Sequence, residues 1–212
     1  MSAVYRDYGY SSAELGWANS YLFHHLQTLL GHTQGTVLDL GCGNGSIARA
    51  LIGAGYDVYG VDASISGINI ANAESPGRFF VLDVLTGVLP KELASKHFDV
   101  VISTEVIEHL YDPRSLIAFA RKVLSADGEF IISTPYHGYL KNQALAITGK
   151  LDDHLTVLWD GGHIKFFSRK TLEVMLREQG FETTDFVGAG RLPYLWKSML
   201  VKAKVAGRTL PQ

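Results

Sequence analysis

The sequence predicts an α/β protein, a three-layer sandwich with a mostly parallel sheet between helices. Two observations carry this. Short apolar runs rich in Val, Ile, Phe and Leu alternate with helical patterns, as βαβ units with doubly buried strands require. Residues 37–45 then read Val-Leu-Asp-Leu-Gly-Cys-Gly-Asn-Gly, a strand followed by three alternating glycines and a helical pattern from Ser46. Open α/β sheets bind ligands at the carboxyl ends of their strands. Glycine there lets a ligand approach the backbone closely.

Each element has its own signal. Residues 12–30 form an amphipathic pattern that would pack Leu15, Leu22 and Leu26. Strands are expected at 36–40, 57–61, 79–82, 98–103 and 128–133, with helices near 46–54, 64–73 and 113–124 between them. The last helix starts at Asp112-Pro113, an N-cap with proline at the first helical position, and stops before the Asp127-Gly128 turn signal. Residues 135–167, with Pro135, Gly138, Gly149 and Gly161-Gly162, look like an insertion. Ser168 caps a further helix that Gly180 ends, and strands at 181–188 and 195–205 complete seven.

With 212 residues, 47% of them hydrophobic, the chain suits one domain with an ample core. A net charge of −2 gives no footprint for nucleic acid, and none is expected as a partner. A single cysteine, Cys42, excludes an internal disulfide and fits a reducing compartment. Inside the glycine loop it reads as a small packing residue. No apolar run reaches transmembrane length, and the N-terminus lacks a basic-then-apolar leader. The expected setting is the cytoplasm; nothing here fixes an oligomeric state.

The glycine spacing selects among ligands. A dinucleotide fingerprint needs Gly-x-Gly-x-x-Gly. Here Gly41, Gly43 and Gly45 give Gly-x-Gly-x-Gly, with Ser46 in the dinucleotide position. Asp39, just ahead, is a poor neighbour for a pyrophosphate and suits a cationic amino group. The pattern Asp-x-Gly-x-Gly-x-Gly resembles the S-adenosylmethionine loop of class I methyltransferases. The likeness extends over residues 36–205. It implies a Rossmann-like seven-stranded sheet whose antiparallel last strand is inserted beside the fifth. Asp62 closes the second strand and is read as a ribose ligand, beside an alternative in which Asp62 or Ser64 caps the next helix. The resemblance also implies that Asp83 receives the adenine amino group and that the Val84 amide meets the ring. Cys42, Ala63 and Thr104 complete the expected cofactor contacts.

The fourth strand leads into Thr104-Glu105-Val106-Ile107-Glu108-His109. If residues 105–110 are helical, Glu105, Glu108 and His109 share one face. Such a face can bind a divalent cation or supply a base. This Glu-x-x-Glu-His resembles that of the ubiquinone-biosynthesis O-methyltransferases, where it is associated with magnesium and a catechol-like acceptor. The resemblance therefore implies methyl transfer to a small molecule, foremost an oxygen of a phenol- or quinone-like compound. Sugar, lipid or other small-metabolite acceptors remain alternatives, as does cofactor binding without catalysis. His109, Glu105 and His163 are candidate catalytic groups.

The insertion should shape the acceptor site. It carries Tyr136, His137, His154, Trp159 and His163. His163 either lines the acceptor pocket or organises its loop. The apolar segment from Tyr139 to Ile147 has two readings, a lid over the acceptor with peripheral membrane contact, or packing on the core. Lys141 and Lys150 are too few for an electrostatic anchor. Ahead of the first strand lie Tyr5, Tyr8, Tyr10 and Trp17; the resemblance implies that this segment, residues 1–33, covers the cofactor, with Tyr10 or Trp17 closing the site.

Overall fold

A computed structural model describes residues 7, 9–14, 17–155, 158–159 and 161–206. Its strands are β1 (Thr36–Leu40), β2 (Asp57–Asp62), β3 (Phe79–Val81), β4 (Phe98–Thr104), β5 (Leu124–Pro135), β6 (Phe181–Ala189) and β7 (Ser198–Val205). They form one sheet in the order β3-β2-β1-β4-β5-β7-β6. Pairs from β3 through β5 are parallel, and β7 runs antiparallel to both β5 and β6. The order reverses between β1 and β4, which opens a crevice outside their carboxyl ends.

Helices cover both faces. On one lie α1 (Trp17–Leu30), α2 (Ser46–Gly53) and α3 (Ile65–Glu74), packing Leu22, Leu26, Leu51 and Ile68 against Val37, Val58, Val100, Ile102 and Ile131. On the other lie α4 (Pro113–Val123) and α7 (Arg169–Glu178), packing Leu116, Phe119, Leu172 and Leu176 against Leu38, Leu40, Val101, Phe130 and Ile132. Neighbours such as Val100 and Val101 point to opposite faces, so both must be apolar. This is why the strands read as continuous apolar runs. The insertion forms α5 (Tyr139–Ile147) and α6 (Leu151–Leu155).

Several boundaries move for identifiable reasons. The Asp127-Gly128 signal does not separate α4 from its strand. β5 already begins at Leu124, opposite Phe98, and the ladder resumes with Glu129 opposite Val100, so the extra residues form an irregularity. Asp112 precedes Pro113 as expected, but its side chain makes no capping bond. Its carbonyl instead accepts from the Ser115 hydroxyl at 2.7 Å. Ser168 does cap α7 and closes a reciprocal box with Thr171. α1 begins at Trp17, and residues 9–14 are not helical. Leu22 and Leu26 are buried as expected. Tyr5, Tyr8, Leu15 and the side chain of Trp17 lie outside the described residues. The segment from Tyr139 to Ile147 does not pack on the core. Tyr139 and Ile147 face solvent at 74% and 85% exposure, and the buried side chain of α5 is Lys141.

Candidate active site

The glycine loop is built by backbone bonds. The amides of Gly41 and Cys42 both donate to the Val61 carbonyl, at 2.8 and 3.0 Å, folding the loop back onto β2. Gly41 and Gly43 have φ of 86° and 54°, where a side chain is strained. Space forbids one as well. A Cβ on Gly41 would strike Val106, and one on Gly43 the Tyr10 hydroxyl. The glycines thus bring the chain after β4 and the N-terminal segment onto the same loop. Gly45 is the left-handed N-cap of α2. Cys42 is a buried free thiol whose pKa burial pushes well up, consistent with packing.

Asp39 and Asp62 sit at neighbouring strand ends. Asp39 is 1% exposed, and neither carboxylate oxygen has a hydrogen-bond partner. Burial, reinforced by the charge of Asp62, raises its pKa to about 8. A buried carboxyl without donors is costly, and an ammonium group supplies both charge and donors. Asp62 is differently placed. It accepts from the Gly43 amide at 2.8 Å and the Ser64 amide at 2.7 Å. Ser64, not Asp62, caps α3, accepting from the Gly67 amide. Asp62 therefore ties the loop to β2 with lone pairs to spare. Burial raises its pKa, against those two bonds. Ala63 follows at the turn into α3. Asp83 lies two residues past β3, its carbonyl accepting from the Thr86 amide and hydroxyl as Val84 starts a 3-10 turn.

The N-terminal segment is fastened over this loop. The Asp7 carboxylate accepts from the hydroxyls of Ser66 and Ser64 and the amides of Ser66 and Gly9. These bonds, the Ser66 hydroxyl foremost, hold it well below the usual carboxylate range. The Tyr10 amide donates to Ser66 Oγ, and the Asn44 side chain donates to the carbonyls of Ser12 and Glu14.

Thr104 ends β4, and Glu105 follows with φ of 54°, a left-handed conformation uncommon outside glycine. The bend turns its carboxylate toward β5 and β7. There Oε1 accepts from the Ser133 hydroxyl at 2.8 Å and Oε2 from the Ser198 hydroxyl at 3.0 Å. Ser198 Oγ lies 2.9 Å from the Tyr21 hydroxyl of α1. Burial raises the Glu105 pKa to about 7, with the two serine hydroxyls opposing.

Glu105, Glu108 and His109 do not share a face. Only residues 107–109 form a turn, of 3-10 type, and the bend at Glu105 precedes it. Glu108 is fully buried. Its Oε2 accepts from Thr134 Oγ1 at 3.0 Å, while Oε1 has no partner. Burial, then the charge of Glu105, raises its pKa. His109 Nδ1 lies 3.3 Å from the Gly162 carbonyl, and burial lowers its pKa. His163 comes from the insertion, its ring centroid 5.0 Å from that of His109. Burial lowers its pKa to about 4. Among the described residues, the group with ligand atoms mutually within 4.8 Å is Glu108, His109 and His163. Magnesium prefers a shell of oxygens, and this set offers two nitrogens and one oxygen. It does not suit magnesium.

Sequence reasoning missed several of these residues. Tyr21, Ser133, Ser198 and Thr134 orient the carboxylates but carry no motif. Lys141, a basic residue of the insertion, is buried, which its charge gave no reason to expect. Its ammonium donates to the Lys197 carbonyl at 3.2 Å, and burial lowers its pKa to about 8. The rings of His137 and His154 lie 5.2 Å apart within the insertion, tilted by 49°.

A model of the methyltransferase domain matches residues 15–185. The chain belongs to this family. The methyltransferase is 32% identical over 159 residues to a ubiquinone biosynthesis O-methyltransferase of Thiobacillus denitrificans, covering 72% of this chain and 66% of that protein. It is equally identical over 167 residues to a protein of the same name from a Ruegeria species, covering 76% and 66%. The match thus spans just under two-thirds of these relatives. Among solved structures it resembles an S-adenosylmethionine-dependent methyltransferase from Mesorhizobium loti, with TM-score 0.65, 20% identity, and 85% and 96% of the two chains covered. It also resembles magnesium protoporphyrin IX methyltransferase from Synechocystis with bound SAH, with TM-score 0.63, 20% identity, and 87% and 80% covered. These likenesses confirm the Rossmann-like sheet. Among the described residues, no helix of the methyltransferase is long and apolar enough to cross a membrane.

Proposed function

We propose that this chain transfers the methyl group of S-adenosylmethionine to an oxygen of a small phenol- or quinone-like acceptor, in the cytoplasm. The cofactor supplies an electrophilic methyl on a sulfonium centre. The residues present fit it. Asp39, with two donor-less oxygens, would take the methionine ammonium, and Asp62 the ribose hydroxyls. Asp83 and Val84 would meet adenine, while Gly41, Cys42, Gly43, Gly45, Ala63 and Thr104 line the path between. Tyr10 and the segment it belongs to would cover the cofactor and exclude water.

The observation that carries an oxygen acceptor is Glu105. An electrophilic methyl needs alignment from the protein, but a hydroxyl nucleophile must also lose its proton. Glu105 is a half-buried residue just past the end of β4, beside Val106, which abuts the glycine loop. With a pKa near neutrality it can hold that proton. With the cofactor bound to supply the methyl group, Glu105 would take the proton that the acceptor hydroxyl gives up as its oxygen is methylated. His109 and His163, neutral at this pH, would line the acceptor side. The ubiquinone-pathway relatives point to the same acceptor class. Incubation with methyl-labelled cofactor and a panel of catechols, sugars and lipids tests this. Label should appear on catechol oxygens; label confined to sugars or lipids, or none despite bound SAH, overturns it.

A further inference from the structure

We propose that the cavity between α5 and the β6–β7 connection, residues 190–197, binds a small organic carboxylate, an anionic head on an apolar body. The inference does not rest on the acceptor or on methyl transfer. The cavity measures about 520 Å3, within the range of small-molecule sites. Lys141, Lys150 and Arg191 bring three positive charges to its lining, and no acidic residue among the described ones joins them. Leu145 of α5 and Leu192 and Leu195 of the connection supply an apolar wall. The Leu195 amide donates to the Leu192 carbonyl at 3.0 Å, a turn that sets both leucines on the same cavity.

Lys141 is the decisive member. It is 3% exposed, although a lysine ammonium seldom leaves water unless it is paired. Of its three N–H donors, one goes to the Lys197 carbonyl at 3.2 Å. A neutral carbonyl does not balance a buried charge. Among the described residues, no carboxylate forms an ion pair with Lys141 or Arg191. The charge of Glu105 does reach Lys141 favourably, but both Glu105 oxygens accept from serine hydroxyls. The other charges around Lys141 repel. Burial and then Arg191 lower its pKa, and burial followed by Lys141 and Arg191 lowers that of His154 to about 4. A carboxylate in the cavity supplies the missing counter-charge. It accepts from the remaining Lys141 donors and from the planar Arg191 fork. The leucines then take the apolar remainder of the ligand. A small inorganic anion would balance the charge without using that wall, which is why the ligand is an organic acid.

The test is calorimetric binding to the full-length protein of acetate, hexanoate, octanoate, hexyl phosphate and the uncharged octanamide. Octanoate should bind at one per chain, and octanamide at least about ten-fold more weakly, the scale of a charge-assisted bond. Affinity should rise from acetate to octanoate by up to about four-fold per methylene. Lys141→Met keeps the apolar stem and removes the charge. It should weaken octanoate at least about ten-fold. By deleting an unpaired buried charge it should also raise the Tm of the ligand-free protein, which a purely structural lysine would not do. Arg191→Gln, at an exposed position, should weaken octanoate about two- to five-fold. It decides the matter if Lys141→Met misfolds. The exposed Lys91→Gln should change nothing. Equal binding of octanoate and octanamide, no gain over acetate, or unchanged octanoate affinity in Lys141→Met overturns the site. Hexyl phosphate binding more tightly than hexanoate, or binding seen only on anionic lipid vesicles, overturns the carboxylate assignment. None of these outcomes bears on whether the protein methylates phenols.

Discussion

The carboxyl ends of β1, β2 and β3 differ sharply from those of β4 and β5, which the amino end of β7 joins at Ser198. In the first half, one contiguous segment shapes the site. A strand, an acid and three glycines in residues 37–45 set the loop, and Asp62 ties it down through the Gly43 amide. In the second half, each functional side chain is set by residues far away in sequence. Glu105 is held by Ser133, Ser198 and, through Ser198, Tyr21. Glu108 meets Thr134, and His109 meets the loop carrying His163. One half is a backbone device with few side-chain choices. The other is a side-chain assembly that a change of lid or edge strand can retune without touching the cofactor half.

That contrast predicts separable defects. The largest is expected from Glu105→Gln, which should cut turnover about 100-fold or more, the lower range for losing a general base. SAH affinity by calorimetry should barely change; an equal loss of both would erase the distinction between the halves. In the parent enzyme, turnover should rise with pH through about 7 as the Glu105 carboxyl ionises.

Asp39→Asn should be nearly as damaging, but to the cofactor alone. It should weaken SAH binding by about 2–3 kcal/mol, the scale of a charge-assisted bond. The same change should stabilise the ligand-free protein at high pH. The Asp39 pKa is raised by folding, so its contribution is complete below pH 3.8 and is lost as pH rises through about 8. Calorimetry of the parent protein at pH 7, in buffers of different ionisation enthalpy, should show proton release on SAH binding. No release would mean that Asp39 is not the ammonium partner.

A smaller loss, about 1–3 kcal/mol in SAH affinity, is expected from Asp62→Ala. Faster amide exchange at Gly43 should accompany it, because that donor loses its acceptor. Unchanged affinity removes Asp62 from the ribose role. Ser198→Ala should be the mildest, about 1 kcal/mol. Its signature is specific: one bond lowering the Glu105 pKa disappears, so the pH profile of kcat/KM should shift upward. A stationary profile would show that Ser198 does not tune Glu105.

The fold was legible because strands buried on both faces must be apolar throughout, and Val100–Ile102 or Phe130–Ile132 show this without knowledge of their partners. Asp39 and the glycines were legible because a left-handed, closely approached backbone admits few residues. The helical face on which Glu105 would have joined Glu108 and His109 does not form. Helical periodicity supposes regular backbone, and the bend at φ 54° breaks it, sending Glu105 to one partner set and Glu108 to another. The apolar pattern of α5 misled in the other direction, since its buried member is a lysine that reaches the Lys197 carbonyl.

The sequence by itself determined the sheet, the glycine loop and the acids at successive strand ends, because these depend on local backbone preference and on burial that every strand shares. The tertiary structure alone decided which oxygens of Glu105 and Glu108 are satisfied, that His163 rather than Glu105 stands beside His109, and that Tyr21 and Ser198 belong to the site. Those facts arise from where separate segments meet. Hydrogen bonds and donor distances across such meetings leave no spacing along the chain to read.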